Sequence, residues 1–372
     1  LEAIQQIIGL TGIEYFSLGQ AGMIIVGLIL VYLGVKKQFE PLLLVPIGFG
    51  IVLANMPATD LLAEDGLLSF FKLGISYEIL PPLIFLGVGA LTDFTPLLSA
   101  PYTMLLGMAA QAGIFLTLLG AILLGFTPAQ AAAIGIIGGA DGPTAIFAAN
   151  RLAGDLVGPI AVAAYSYMAL VPLIQPPVIK ALTTKKERAI KMGTSVKVNN
   201  TVKIIFPAVC MVITILLIPT AAPLVGMLML GNFIRVCGVV ERLNRAAQDY
   251  LMDIVTLLLG LAVGASMPAE RFWRWETLGI LLLGVCAFIF ATICGLVFGK
   301  IMCWVTGGKV NPIIGAAGVS AVPMAARVAH KVGQEEDPSN QLIMVAMGAN
   351  VAGVIGSALA AGVLIQLVPL WF

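Results

Sequence analysis

The chain has 372 residues, 60% of them hydrophobic and 10% charged, with a net charge of +1. An ordinary soluble domain carries about 25% charged residues, so a soluble enzyme is excluded, and the near-neutral balance gives no electrostatic footprint for nucleic acid. The single histidine, His330, and five cysteines without metal-ligand spacing argue against a histidine metal site and against a disulfide framework. The sequence opens without a basic stretch followed by a short apolar run, so no cleavable signal peptide is expected.

Apolar runs of about 20 residues, the length that crosses a hydrocarbon core, fall at 19–36, 41–57, 67–91, 101–126 and 156–179. A second set falls at 203–219, 221–238, 250–267, 277–303 and 340–369. Between the fourth and fifth run of each set lies a segment interrupted by glycine and proline, 128–150 and 309–330. Each of these two reads as a re-entrant hairpin or a discontinuous helix. Basic residues cluster at Lys36 and Lys37, from Lys180 to Lys203, at Arg235, Arg242 and Arg245, and at Lys300, Lys309, Arg327 and Lys331. If both broken segments re-enter without crossing, all these groups share one side. The positive-inside rule makes that side cytoplasmic and puts both termini outside.

The two halves resemble each other. Ile136-Ile137-Gly138-Gly139-Ala140 matches Ile313-Ile314-Gly315-Ala316-Ala317, and Phe147-Ala148-Ala149-Asn150 matches Met324-Ala325-Ala326-Arg327 at the same offset. Five crossings per half is an odd number, which turns the second half upside-down relative to the first. The expected fold is therefore an all-α polytopic membrane protein. It has two inverted-topology repeats, each of about five transmembrane helices plus one broken or re-entrant hairpin. The repeats are assigned to 1–180 and 203–372, with a basic cytoplasmic linker at 181–202.

Within the first broken segment, Gly138-Gly139-Ala140-Asp141-Gly142-Pro143-Thr144 sets a carboxylate in an apolar, glycine-rich run. A charge at membrane depth costs several kcal/mol at least and marks a functional site by default. Gly142 and Pro143 break the helix beside it and free backbone groups. A carboxylate with unwound carbonyls suits a small hard cation such as Na⁺, which takes oxygen ligands; the plainer alternative is an Asp that caps a half-helix. The matching segment offers Asn311, Gly315 and Ser320, either as further oxygen ligands or as a capping Asn and a back-bonded Ser. Arg327, at its end, suits either a clamp on a carboxylate or ureido oxygen or a snorkelling anchor. Tyr165-Ser166-Tyr167 lies in an apolar helix just before Val171-Pro172-Leu173-Ile174-Gln175-Pro176-Pro177. A phenol there is a candidate proton donor or a packed side chain. Asn350 is a weaker candidate ligand, with an interhelical hydrogen bond as its alternative.

The runs 138–144, 165–177 and 311–327 together resemble the β subunits of the sodium-pumping biotin-dependent decarboxylases, the membrane subunits of oxaloacetate, methylmalonyl-CoA, glutaconyl-CoA and malonate decarboxylases. The resemblance covers essentially the whole chain. It implies that the protein takes carboxybiotin from a biotin-carrier subunit, decarboxylates it with consumption of a proton, and exports Na⁺. A carboxyltransferase (α) subunit would load the carrier. A small single-span membrane subunit of γ/δ type and a homo-oligomeric membrane core would complete the complex in the cytoplasmic membrane of a bacterium. By the same resemblance Asp141 binds Na⁺, together with Ser320, and Asn311 and Gly315 belong to the second half of the ion path. Tyr167 serves proton delivery or a second ion position, and Arg327 engages carboxybiotin. Oxaloacetate-type members carry an extra hydrophilic stretch between the early spans. Here Ala54-Asn55-Met56-Pro57-Ala58-Thr59-Asp60 runs almost directly into the next span, which leans toward the acyl-CoA type. The rival expectations are a Na⁺-coupled secondary carboxylate transporter without chemistry, and a passive scaffold subunit with no use for a midplane carboxylate.

Overall fold

The computed structural model describes residues 12–193 and 197–371, and every regular element among them is helical. The predicted outside placement of the two chain ends concerns residues 1–11 and 372, which lie outside the described residues, as do 194–196 of the predicted linker.

Ser17 opens α1 (Leu18–Lys37) with a capping box: its Oγ accepts from Gln20 N at 3.2 Å, and Gln20 Oε1 accepts from Ser17 N at 2.9 Å. Gln38 and Glu40 take positive φ values of 56° and 37°, and this reversal delivers Pro41 to the first position of α2 (Pro41–Ala54). The predicted span 41–57 is helical only over those 14 residues. At 1.5 Å per residue that is about 21 Å, short of a hydrocarbon core of about 30 Å.

The run 67–91, expected as one span, is instead two helices, α3 (Leu67–Ser76) and α4 (Leu80–Leu91), bent by 66°. Glu78 is left-handed at φ 58°. Pro81 and Pro82 then supply no N–H, and their rings oppose the carbonyls four residues back. After α5 (Thr103–Leu123), the first broken segment comprises α6 (Pro128–Gly135), a 3-10 turn at Ile136–Gly139 and α7 (Gly142–Leu152). The next helix, α8 (Val157–Leu182), bends by 60° between Met168 and Leu170. Pro172 cannot donate to the Met168 carbonyl, which accounts for the place of the bend.

The second half follows with α9 (Asn200–Leu217), α10 (Ala222–Cys237), α11 (Glu241–Ala265) and α12 (Trp275–Val305). A 3-10 segment at Pro312–Gly318, α13 (Met324–Glu336) and α14 (Ile343–Trp371) complete it. Among the described residues, seven helices are long and apolar enough to cross a membrane, and up to nine if each bent pair is one span.

Both broken segments are hairpins. At the first, Gln130 Nε2 reaches Asp155 Oδ2 at 3.4 Å, so the start of α6 and the segment after α7 share one end of the molecule. At the second, Asn311 Nδ2 donates to the Arg188 carbonyl at 3.0 Å, and the Arg188 guanidinium pairs with Glu336 at 2.6 Å. The beginning and the end of that hairpin therefore meet at one linker residue. Asp155 precedes α8 and Arg188 follows it, so the hairpins enter from opposite ends. Their tips touch where Ser320 N donates to the Gly139 carbonyl at 3.0 Å. The helices around them pack in exchanged pairs: α4 on α10, α2 on α11, α5 on α14 and α8 on α12.

The linker is docked rather than free over its first part. Thr184 caps a short helix at Lys185–Arg188, and Asn340 joins Asn311 in donating to the carbonyls of Arg188 and Ile190. Backbone contact without side chains brings the 3-10 segment onto α12. A Cβ built on Gly315 would stand 2.0 Å from the Gly295 carbonyl oxygen, and one on Gly295 would stand 2.1 Å from the Gly315 oxygen. We expect Gly295→Ala and Gly315→Ala each to cost about 1–3 kcal/mol through overpacking, seen as a lower thermal midpoint of the purified protein. Gly279→Ala on the same helix, where a Cβ meets nothing closer than 3.8 Å, should leave the midpoint unchanged.

Candidate functional site

Asp141 stands at the break between the two arms of the first hairpin. Ala140 turns left-handed at φ 58°, and Asp141 returns to extended backbone as the N-cap of α7. Its Oδ1 accepts from Thr144 N at 3.2 Å, and its Oδ2 accepts from Ser357 Oγ, on α14, at 2.6 Å. Pro143 in the first turn removes an N–H that would otherwise want a partner, and the positive end of the α7 dipole faces the carboxylate. Asp141 is therefore a capping residue. It also lines a cavity of about 560 Å³ that runs from the hairpin tips to Arg327 and Glu40. That volume lies in the range of small-molecule pockets, about 300–1,000 Å³. Arg327 is on α13 and exposed, and Glu40 directly follows the Lys36–Lys37 end of α1, so the cavity opens toward the lysine-rich end. Between α1 and α2, burial pushes the Glu40 carboxyl above the ordinary glutamate range, and the facing Arg327 guanidinium pulls it back down.

Of the residues singled out from sequence, Asp141, Ser320 and Arg327 meet at this cavity. The buried Ser320 hydroxyl has no hydrogen-bond partner. Tyr165 lines the cavity, its ring against Gly142, where a Cβ would stand 2.3 Å from the ring edge. Tyr167, two residues on and so on another face of α8, does not line it and stacks on Phe288 at 5.8 Å. Both hydroxyls are buried without partners.

Asn311 lies away from the cavity. Its Oδ1 caps the 3-10 segment through Ile313 N at 3.1 Å, and its Nδ2 holds the linker. Gly315 faces Gly295 on α12 rather than the cavity. Asn350 donates to the carbonyls of Ala317, Val319 and Ala321, fastening the chain on both sides of Ser320 from behind.

Ser357 escaped sequence reasoning because a serine between Gly356 and Ala358 in an apolar helix carries no local signal. Its spacing of seven residues from Asn350, two turns on one helix face, was the available clue. Glu40 was hidden as an ordinary loop acid beside two lysines.

Two opposed hairpins that meet beside a buried carboxylate, in an all-α protein with several helices of membrane-spanning length, form the arrangement found in secondary transporters. The sequence comparisons narrow this. The family model for "Na+-transporting oxaloacetate decarboxylase beta subunit" matches residues 19–368, and the chain belongs to that family. The methylmalonyl-CoA decarboxylase subunit beta of Veillonella parvula is 56% identical over 365 residues, covering 98% of this chain and 97% of the relative. The glutaconyl-CoA decarboxylase subunit beta of Acidaminococcus fermentans is 54% identical over 366 residues, 98% of each chain. The oxaloacetate decarboxylase beta chain of Klebsiella pneumoniae is 48% identical over 430 aligned positions, 99% of each chain. The protein is thus a multi-pass membrane β subunit of the Na⁺-transporting decarboxylases.

The cavity makes a prediction about access. In a cysteine-free background, Arg327→Cys should react with a membrane-impermeant thiol reagent applied to the lysine-rich side, and Ser357→Cys, fully buried behind Asp141, should not.

Proposed function

We propose that this subunit decarboxylates carboxybiotin at the Asp141–Arg327 cavity and couples that step to Na⁺ export with consumption of a proton. The observation that carries the reading is the single cavity joining a buried carboxylate and an unpaired hydroxyl at the hairpin tips to an arginine at the lysine-rich end. In this reading Arg327 takes the carboxylate of N-carboxybiotin by charge-assisted hydrogen bonds. When the N–C bond breaks, CO₂ leaves and the electron pair stays on the ureido nitrogen, which then takes a proton. Asp141, with Ser320 and Ser357 beside it, holds Na⁺ as long as the carboxyl is ionised. A proton arriving there, relayed by Tyr165 or Tyr167, removes the charge that offsets the cation and releases it; the same proton then passes to the ureido nitrogen, which restores the Asp141 carboxylate. Na⁺ and H⁺ thus compete for one carboxylate, and each shifts the protein between its states only as far as it binds one state better than the other.

In this reading the exchanged helix pairs and opposed hairpins belong to two inverted repeats, and access alternates when one part of each repeat moves against the other. The divide at 1–180, 181–202 and 203–372 follows. The lysine-rich end is cytoplasmic by the positive-inside rule, in the cell membrane of a bacterium with both termini outside. A biotin-carrier subunit presents carboxybiotin at that end, a carboxyltransferase α subunit loads the carrier, and a small single-span subunit and further β copies build the membrane core. The short connection at 54–60 and the higher identity to the methylmalonyl-CoA and glutaconyl-CoA relatives favour an acyl-CoA substrate for the whole complex.

The test is decarboxylation of free N-carboxybiotin by the complex in inside-out vesicles. CO₂ release should require Na⁺ and drive its uptake. Arg327→Ala should raise the KM for carboxybiotin by about tenfold or more, the loss of one charge-assisted contact, and leave the half-saturating Na⁺ concentration unchanged. Na⁺ movement without CO₂ release would make the protein a plain carboxylate transporter.

A further inference from the structure

The side chain of Gln111 has no place in the reading above. It lies in α5 where the helix tightens: Gln111 N donates to Met108 O at 3.0 Å and Ile114 N to Gln111 O at 2.9 Å, both 3-10 spacings inside a spanning helix. Such mid-helix tightening marks a strained or functional position. The side chain is 5% exposed. Its Nε2 faces three carbonyls, Gly107 at 3.2 Å, Gly318 at 3.4 Å and Gly353 at 3.2 Å, one each on α5, the second hairpin and α14. A carboxamide facing three acceptors must present its amino group to them, which fixes where the oxygen points.

That oxygen, Oε1, is buried and has no partner. It points at the first hairpin: a Cβ built on Gly139 would stand 3.0 Å from Gln111 Oε1 and 3.2 Å from Ser357 Cβ. Gly139 is the residue whose carbonyl receives Ser320 N, and Ser357 is the residue that binds Asp141. Gln111 Oε1 and Ser357 therefore face the same point on the first hairpin, two residues before Asp141, and both lie off the cavity, whose lining includes Asp141 but neither Gln111 nor Ser357. An unpaired amide oxygen in a dry interior costs free energy unless something binds it. The residue that Oε1 faces, Gly139, carries no side chain to fill the space in front of it.

We propose that Gln111 Oε1 is a cation ligand, forming with the Asp141 carboxylate and Ser357 Oγ a position for dehydrated Na⁺ behind Asp141, out of contact with the cavity. The ion enters on the cavity side and is occluded on the Gln111 side of the same carboxylate. This deepens the Na⁺-pump reading and rests on it. The three-way contact of Nε2 gives the position its coupling: a shift of the second hairpin or of α14 moves the ligand.

The experiment uses the reconstituted complex, with CO₂ release and ²²Na⁺ uptake followed against Na⁺ and, separately, Li⁺ concentration. Thermal midpoints of the purified complex are taken with and without Na⁺. Wild type stimulated by Na⁺ upholds the underlying reading, and wild type indifferent to Na⁺ sinks that reading before any variant is examined. Gln111→Leu should raise the half-saturating Na⁺ concentration by about tenfold or more, leave the KM for carboxybiotin unchanged and shrink the Na⁺-induced rise in thermal midpoint. Gln111→Asn keeps the amide but withdraws its oxygen by one methylene, and should change the Li⁺:Na⁺ preference. A Gln111→Leu complex with the wild-type Na⁺ dependence and midpoint rise overturns the proposal. If Gln111→Leu fails to assemble, an unchanged Li⁺:Na⁺ preference in Gln111→Asn overturns it equally.

Discussion

A carboxylate buried among apolar helices must be met by donors. Asp141 receives one donor from its own chain, Thr144 N, and one from a distant helix, Ser357 Oγ. The first is not available inside a continuous helix, where every N–H past the first turn already has a carbonyl. The helix must therefore stop at Asp141 and start again, which Ala140, Gly142 and Pro143 bring about. The same interruption that satisfies the carboxylate leaves it beside open space and unpaired hydroxyls, and so makes it available to an ion.

The break creates a second requirement. The last turn of the 3-10 segment and the irregular chain from Val319 to Val322 offer carbonyls that no helix satisfies, and hydrocarbon cannot solvate them. Buried amides answer it from three sides. Asn350 holds Ala317, Val319 and Ala321, Gln175 holds Ala316 at 2.8 Å, and Gln111 holds Gly318. Each gives its amino group to the backbone and keeps a buried oxygen free. The second hairpin is thereby suspended from α5, α8 and α14 at once, while Asn311, Asn340 and Arg188 fix its base to the linker. The hairpin is thus held at its base and cross-linked near its tip, where Ser320 meets Gly139.

Much of this was written plainly in the chain. Segments of spanning length, the paired glycine-proline interruptions and the charge at Asp141 are local, and hydropathy and helix chemistry read them directly. Arg327 and Ser320 could be placed near Asp141 because both halves carry the same small-residue signature. The bends at Tyr77–Ile79 and near Ala169 were missed, although the prolines responsible were in view, because a proline in an apolar run permits a kink without fixing its angle. Asn311 and Asn350 show a different limit. Residue type announces a polar group in an apolar segment, yet only the packing of distant helices decides whether it faces an ion path or a backbone carbonyl. Ser357 and Gln111 were silent for the same reason: their importance comes from partners more than 200 residues away in sequence.

Everything proposed for the site turns on one carboxylate being shared by Na⁺ and a proton. The direct measurement is CO₂ release and ²²Na⁺ uptake in the same proteoliposomes, wild type beside Asp141→Asn, an isostere that keeps the cap's oxygen and loses its charge. Loss of both activities together, with the variant assembled and its carboxybiotin binding intact, is the expected result. A variant that still pumps Na⁺ at the expense of carboxybiotin would show that Asp141 is a helix cap and nothing more.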